Sequence, residues 1–89
     1  MDVRYFIDSQ TGQPHIYKHD VSEPEVEDVL SSPREDRAGR DGCRIAIGYT
    51  SVGRLLRVIY VRETRGAFVL TAYDLTGKPA IAFHRRCRS

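Results

Sequence analysis

The alternation of apolar and polar positions changes character near residue 43, and the change separates two kinds of element. The opening stretch "DVRYFID", residues 2–8, sets Val3, Tyr5 and Ile7 against Arg4, Phe6 and Asp8. That alternation predicts a first strand with both faces partly covered. Asp8 to Gln13 is a turn by composition. "PHIYKHD", residues 14–20, reads as a short extended piece that Pro14 confines to an edge or a lead-in. The sharpest local signal is "VSEPEVEDVL", residues 21–30. Ser22 as N-cap puts Glu25 at the third helical position for a capping box, Pro24 in the first turn, and Val21 against Val26 as a hydrophobic staple. The helix has Val26, Val29 and Leu30 as its apolar stripe, and Pro33 closes it.

"SSPREDRAGRDG", residues 31–42, has no apolar periodicity and predicts a mobile polar loop that carries Arg34, Arg37 and Arg40. From Cys43 the pattern becomes alternating or continuously apolar. "CRIAIGYT", "RLLRVIYVRE" and "AFVLTAYD" predict three strands, joined by the glycine-containing turns "SVG" and "TRG" into an antiparallel meander. The middle strand is apolar on both faces except at Arg57, so it is expected to be central and covered by helices. "LTGKPAIAFHRRC" turns at Gly77 and begins a second helix near Pro79, with Ala80, Phe83 and Cys87 on one face and Arg85 and Arg88 on another. The order β, extended piece, α, β, β, β, α predicts an α+β fold, a small antiparallel sheet with two helices packed on one side. Eighty-nine residues are enough for one such domain and one core.

Charge adds an asymmetry. Residues 1–36 hold nine acids and three bases, and residues 37–89 hold three acids and eleven bases, inside a formal net charge of only +2. Twelve of the fourteen cations are arginine, whose planar fork bonds phosphate bidentately. After Asp74 no acid balances Lys78, Arg85, Arg86 and Arg88. One surface is therefore expected to attract a polyanion. With 40% apolar and 29% charged residues, no run able to cross a bilayer and no secretion leader, the expectation is a cytoplasmic protein without membrane contact. Cys43 and Cys87 lack metal-ligand spacing and read as two separate thiols unless the fold brings them together.

Several short motifs carry a resemblance. "KHDVSEPEVEDVL", followed after the polar stretch by "RIAIGYTSVGRLLRVIYV" and "FVLTAY", resembles the BrnT-like toxins and a related uncharacterised family, within the RelE/ParE superfamily of toxin–antitoxin modules. The matching pieces are Lys18-His19-Asp20-Val21, Ile47-Gly48, and Gly53-Arg54-Leu55-Leu56-Arg57-Val58. Where the BrnT-like pattern ends its last strand in Ser-Ala-Arg, this chain has Thr71-Ala72-Tyr73, and its terminal helix has no glutamate. The resemblance implies a RelE-like fold and a toxin directed at RNA or the ribosome. It also implies a cognate antitoxin, which in such modules lays a helix over the basic sheet surface.

The side chains supply the parts for metal-independent RNA cleavage, in which the ribose 2′-OH attacks its own phosphate. That reaction needs a base, an acid and cations. His15, His19 and His84 are the candidate proton carriers. Tyr73 can donate a hydrogen bond, and Arg54, Arg57, Lys78, Arg85 and Arg86 can hold phosphate oxygens, with Arg40 and Arg88 as further nucleic-acid contacts. Tyr73 closely precedes Lys78, so the strand exit and the basic second helix are expected to face one anion pocket. Each residue also has a structural use. His19 can bond backbone in a turn, His84 can pack beside Phe83, and Tyr73 can be a core ring. Arg57 can pair with Glu63 or Asp74, and Arg37 and Arg40 can be solvated loop charges. There is no P-loop and no Cys-x-x-Cys set. His15 and His19 would share a face only on a helix, which Pro14 and Ile16 oppose, so no metal or other cofactor is expected. The alternative to an enzyme is a non-catalytic module that binds RNA, DNA or protein through the same basic face.

Overall fold

A computed structural model of the chain describes residues 2–87. Strand β1 (Asp2–Tyr5) leads through a turn into the 3-10 helix η1 (His15–His19) and helix α1 (Glu23–Ser31). Strands β2 (Glu35–Ala38), β3 (Arg44–Tyr49), β4 (Leu55–Glu63) and β5 (Gly66–Asp74) and helix α2 (Gly77–Arg86) follow. The fold is α+β, with a five-stranded mixed sheet in the order β1-β5-β4-β3-β2. β4 is the central strand, as its apolar pattern requires. The meander β2 to β5 is antiparallel, whereas β1 runs parallel to β5, pairing Asp2–Tyr5 with Gly66–Val69. The expected all-antiparallel sheet is corrected on this point, because the first strand is added beside the last one and not beside its neighbour in sequence.

Three further expectations change. The polar stretch 31–42 contains β2, an edge strand held by side-chain charges. Glu35 bonds Arg86, and Asp36 bonds Arg44. Its hairpin turns at Asp41 and Gly42, both with positive φ, and the Cys43 amide donates to the Arg40 carbonyl at 2.9 Å. The piece read as extended is η1, with Pro14 as its N-cap, a position where no N–H is required.

The helices lie on opposite faces of the sheet and not on one. β4 alternates, so Leu56, Val58 and Tyr60 join Val26 and Val29 of α1, with Ile16, Val21 and Val69, in the larger core. Leu55 of β4 instead packs with Ile47, Leu75 and Phe83 under α2. The capping box forms as expected: the Glu25 amide donates to Ser22 Oγ at 3.4 Å and the Ser22 amide to Glu25 Oε1 at 3.0 Å. Such a cap stabilises a helix by about 1 kcal/mol. α2 buries Phe83 as predicted, but Cys87 is exposed, and both cysteines are free thiols. No helix among the described residues is long and apolar enough to cross a membrane.

Candidate functional site

The register places one row of residues across the face that α2 shares. Tyr73 on β5 is opposite Arg57 on β4, Arg57 is opposite Ile47 on β3, and Ile47 is opposite Glu35 on β2. Directly paired residues project to the same side, so all four belong to one face. α2 begins after β5 and crosses this face to the other edge, where Arg86 grips Glu35 with two hydrogen bonds of 2.8 Å. Glu35 is three strands from Tyr73, about 14 Å at ~4.8 Å per strand. The expected pocket between Tyr73 and the basic end of α2 is therefore not assembled. Arg86 pairs with a carboxylate, and Arg85 and His84 are exposed in the last turn. His84 is not half-buried, although its ring lies 5.4 Å from that of Phe83. Lys78 is exposed at the start of α2, and Arg88 lies outside the described residues.

Tyr73 meets a different set of side chains. β1 covers only Gly66–Val69 of β5, and η1 packs against the remainder of that edge. The His19 ring lies 5.7 Å from the Tyr73 ring, the His15 ring 5.5 Å from His19, and the Phe6 ring 6.2 Å from His15, all in edge-on arrangements. η1 carries both histidines within five residues, and the Asp20 αL cap (φ 58) ends it beside the strand.

Asp8 orients His15. Its buried carboxylate accepts from Lys18 Nζ at 2.7 Å, from the Gln10 amide at 2.8 Å and from His15 Nδ1 at 3.2 Å. The Lys18 ammonium first, then the Gln10 amide and the His15 ring, hold the Asp8 carboxyl far below the usual carboxylate range. An ionised carboxylate only accepts, so Nδ1 must carry the hydrogen and Nε2 is left for chemistry. Asp8 reads in the sequence only as the start of a turn, and an extended reading of residues 14–20 hides the closeness of His15 to His19 that η1 produces. The spacing of His15 and His19, with Pro14 as an allowed N-cap, was the signal.

Arg54 fastens this arrangement from behind. It donates to Asp74 at 2.7 and 3.0 Å, to Glu25 at 3.1 and 3.2 Å, and to the carbonyls of Asp20 at 2.6 Å and His19 at 3.3 Å. One guanidinium thus joins η1, α1 and β5. It is engaged by carboxylates and is a positioning group, not the nucleic-acid contact first expected. Arg54→Met is expected to lower stability by about 2 kcal/mol, since it strands two carboxylates in a partly exposed network. A urea midpoint equal to that of the parent protein would contradict the assignment.

Arg57 has neither of the partners proposed for it, since Glu63 pairs with Arg4 and Asp74 with Arg54. Its Nε, like Thr71 Oγ1 on the adjacent β5 position, is buried without a hydrogen-bond partner among the described residues. Beyond the footprint of α2 this arginine borders a groove of about 550 Å³, with Ile45 and Ile59 as its floor and Arg37 and Arg40 of the β2–β3 hairpin on its rim. Arg40 is exposed there as expected of a hairpin charge. No group of three or more ligating side chains suited to a metal ion occurs among the described residues. No protein-family model matches the chain, and neither a curated protein nor a solved structure is a match to it.

Proposed function

We propose that the protein is a toxin-like, metal-independent ribonuclease of the RelE/ParE type, acting in the cytoplasm on messenger or ribosome-bound RNA and restrained by an antitoxin that covers the open sheet face. The observation that carries this reading is the continuous row Asp8–His15–His19–Tyr73–Arg57. It brings to one face an oriented imidazole, a second imidazole, a phenol and a guanidinium whose Nε has no hydrogen-bond partner among the described residues. In this mechanism His15 Nε2 takes the proton of the ribose 2′-OH as its oxygen bonds to phosphorus. The bond from phosphorus to the 5′-oxygen breaks, and His19, held against Tyr73, returns a proton to that oxygen. Arg57 balances the charge growing on the phosphoryl oxygens. The products are a 2′,3′-cyclic phosphate and a 5′-hydroxyl. The paired arginines 54 and 86 take no part.

The test is purified protein with end-labelled RNA in the presence of a chelator. Cleavage leaving a cyclic phosphate is expected, and His15→Gln and His19→Gln should each slow it about a hundredfold without altering the circular dichroism spectrum. Absence of cleavage on free RNA and on ribosome-bound message alike would overturn the reading. One observation favours a non-catalytic module instead: the groove between Arg37, Arg40 and Arg57 lies past Arg57 from the histidines and suits binding by itself. Salt-sensitive RNA binding without scission would select that second reading.

A further inference from the structure

Phe6 lies at the outer end of the aromatic row and is 46% exposed, with Ile7 beside it 50% exposed. Its direction follows from strand alternation. Tyr5 packs into the core on the α1 side, so Arg4 and Phe6 project to the other face, and the Arg4 guanidinium does lie over Phe68 there at 5.0 Å. Phe6 thus stands on the same face as Tyr73 and Arg57, with its ring against His15. The other exposed large apolar side chains lack that setting. Tyr17, 42% exposed, bonds Glu23 beside Asp20 and Glu25, where negative charge repels phosphate. Val52 is at the tip of the β3–β4 turn, and Ile81 is on the outer side of α2.

We propose that Phe6 is a stacking platform for the nucleobase next to the cleaved phosphate, and that the substrate is therefore single-stranded RNA. The inference rests on the ribonuclease reading and names the substrate class of that same site. A base inside a duplex is stacked on its neighbours and cannot lie on a side chain, whereas an unpaired base can be splayed onto an exposed ring. Stacking on an aromatic side chain tolerates any base, because every base has a π face, and losing one such stack weakens binding about tenfold. The cations support the same occupant. The strand's phosphates would run from Phe6 past the histidines to Arg57, toward Arg37 and Arg40. Phe6 is a positioning residue in this arrangement, since it holds the base and leaves the proton transfers to the imidazoles.

The experiment uses an RNA with 2-aminopurine beside the cleavage position, binding to the His15→Gln protein and turnover by the protein with His15 intact. The fluorophore should be quenched on binding. Phe6→Ala should raise Kd and KM about tenfold while kcat stays within about twofold, and Phe6→Trp should restore binding. The duplexed form of the same RNA should bind at least tenfold more weakly than the single strand. Equal binding of duplex and single strand, or a Kd indifferent to Phe6→Ala, overturns the platform. So does a protein that sediments as a dimer and becomes monomeric only on Phe6→Ala, because Phe6 and Ile7 would then be a contact between copies. The two readings fail separately. Quenching that depends on Phe6 without any scission removes the nuclease and keeps the platform. Scission indifferent to Phe6 and to strandedness does the reverse.

Discussion

Replacing Gly66 by alanine is expected to lift β1 off the sheet. Gly66 is paired with Asp2 at the start of the parallel β1–β5 ladder, and a methyl group on it would overlap the backbone nitrogen, carbon and oxygen of Asp2. Main-chain atoms fixed in a ladder cannot move aside as a flexible side chain can, so the clash is relieved only by separating the strands. A loss of about 3 kcal/mol or more is expected, at the upper end of overpacking effects. The loss should be local in hydrogen exchange. Amides of Val3 to Tyr5 should lose protection while β3 and β4 retain theirs. Since β1 leads directly to Phe6 and Asp8, any RNA cleavage should fall with it. Unchanged protection of β1 would show that the close approach of the two strands is misassigned.

Phe83→Ala is the second large effect. Phe83 is fully buried, and among the described residues its cluster is small: Leu75, Ile47, Ala80 and the half-covered Ile45, Tyr49 and Leu55. Truncation removes most of that small core and leaves a cavity, costing about 3–4 kcal/mol. A domain of this size has about 5–13 kcal/mol in total, so thermal unfolding should fall by roughly 15 °C. Arg86→Ala is the control. Its bidentate pair with Glu35 is at the surface, where such pairs contribute about 1 kcal/mol or less. If the arginine variant proved as damaging as the phenylalanine variant, the helix would be anchored by charge and not by packing.

The parts of the fold that were legible in the sequence are those decided locally. Ser22 and Glu25 announced α1 because a capping box is a contact between near neighbours, and the apolar β4 announced a central strand because both its faces need cover. β1 could not be placed, since pairing with β5 is a contact between the two ends of the chain, and alternation does not say which strand is the neighbour. β2 was missed because Glu35, Asp36 and Arg37 are polar, although Asp41-Gly42 is a strong hairpin signal in its own right. Among the candidate site residues, His19, Tyr73 and Arg57 fall together, because β5 and β4 pair in a predictable meander. The arginines did not sort themselves in sequence. Composition shows how many there are, and only the fold shows that Arg54 and Arg86 have carboxylate partners while Arg57 has none among the described residues.

The parallel pairing of β1 with β5 also sets an order of events during synthesis. The segment bearing Phe6, Asp8, His15 and His19 is made before β5, so β1 has no strand to pair with until Gly66 to Val69 have followed it. Until then His19 has no Tyr73 ring to lie against, and the aromatic row exists only as separate pieces of chain.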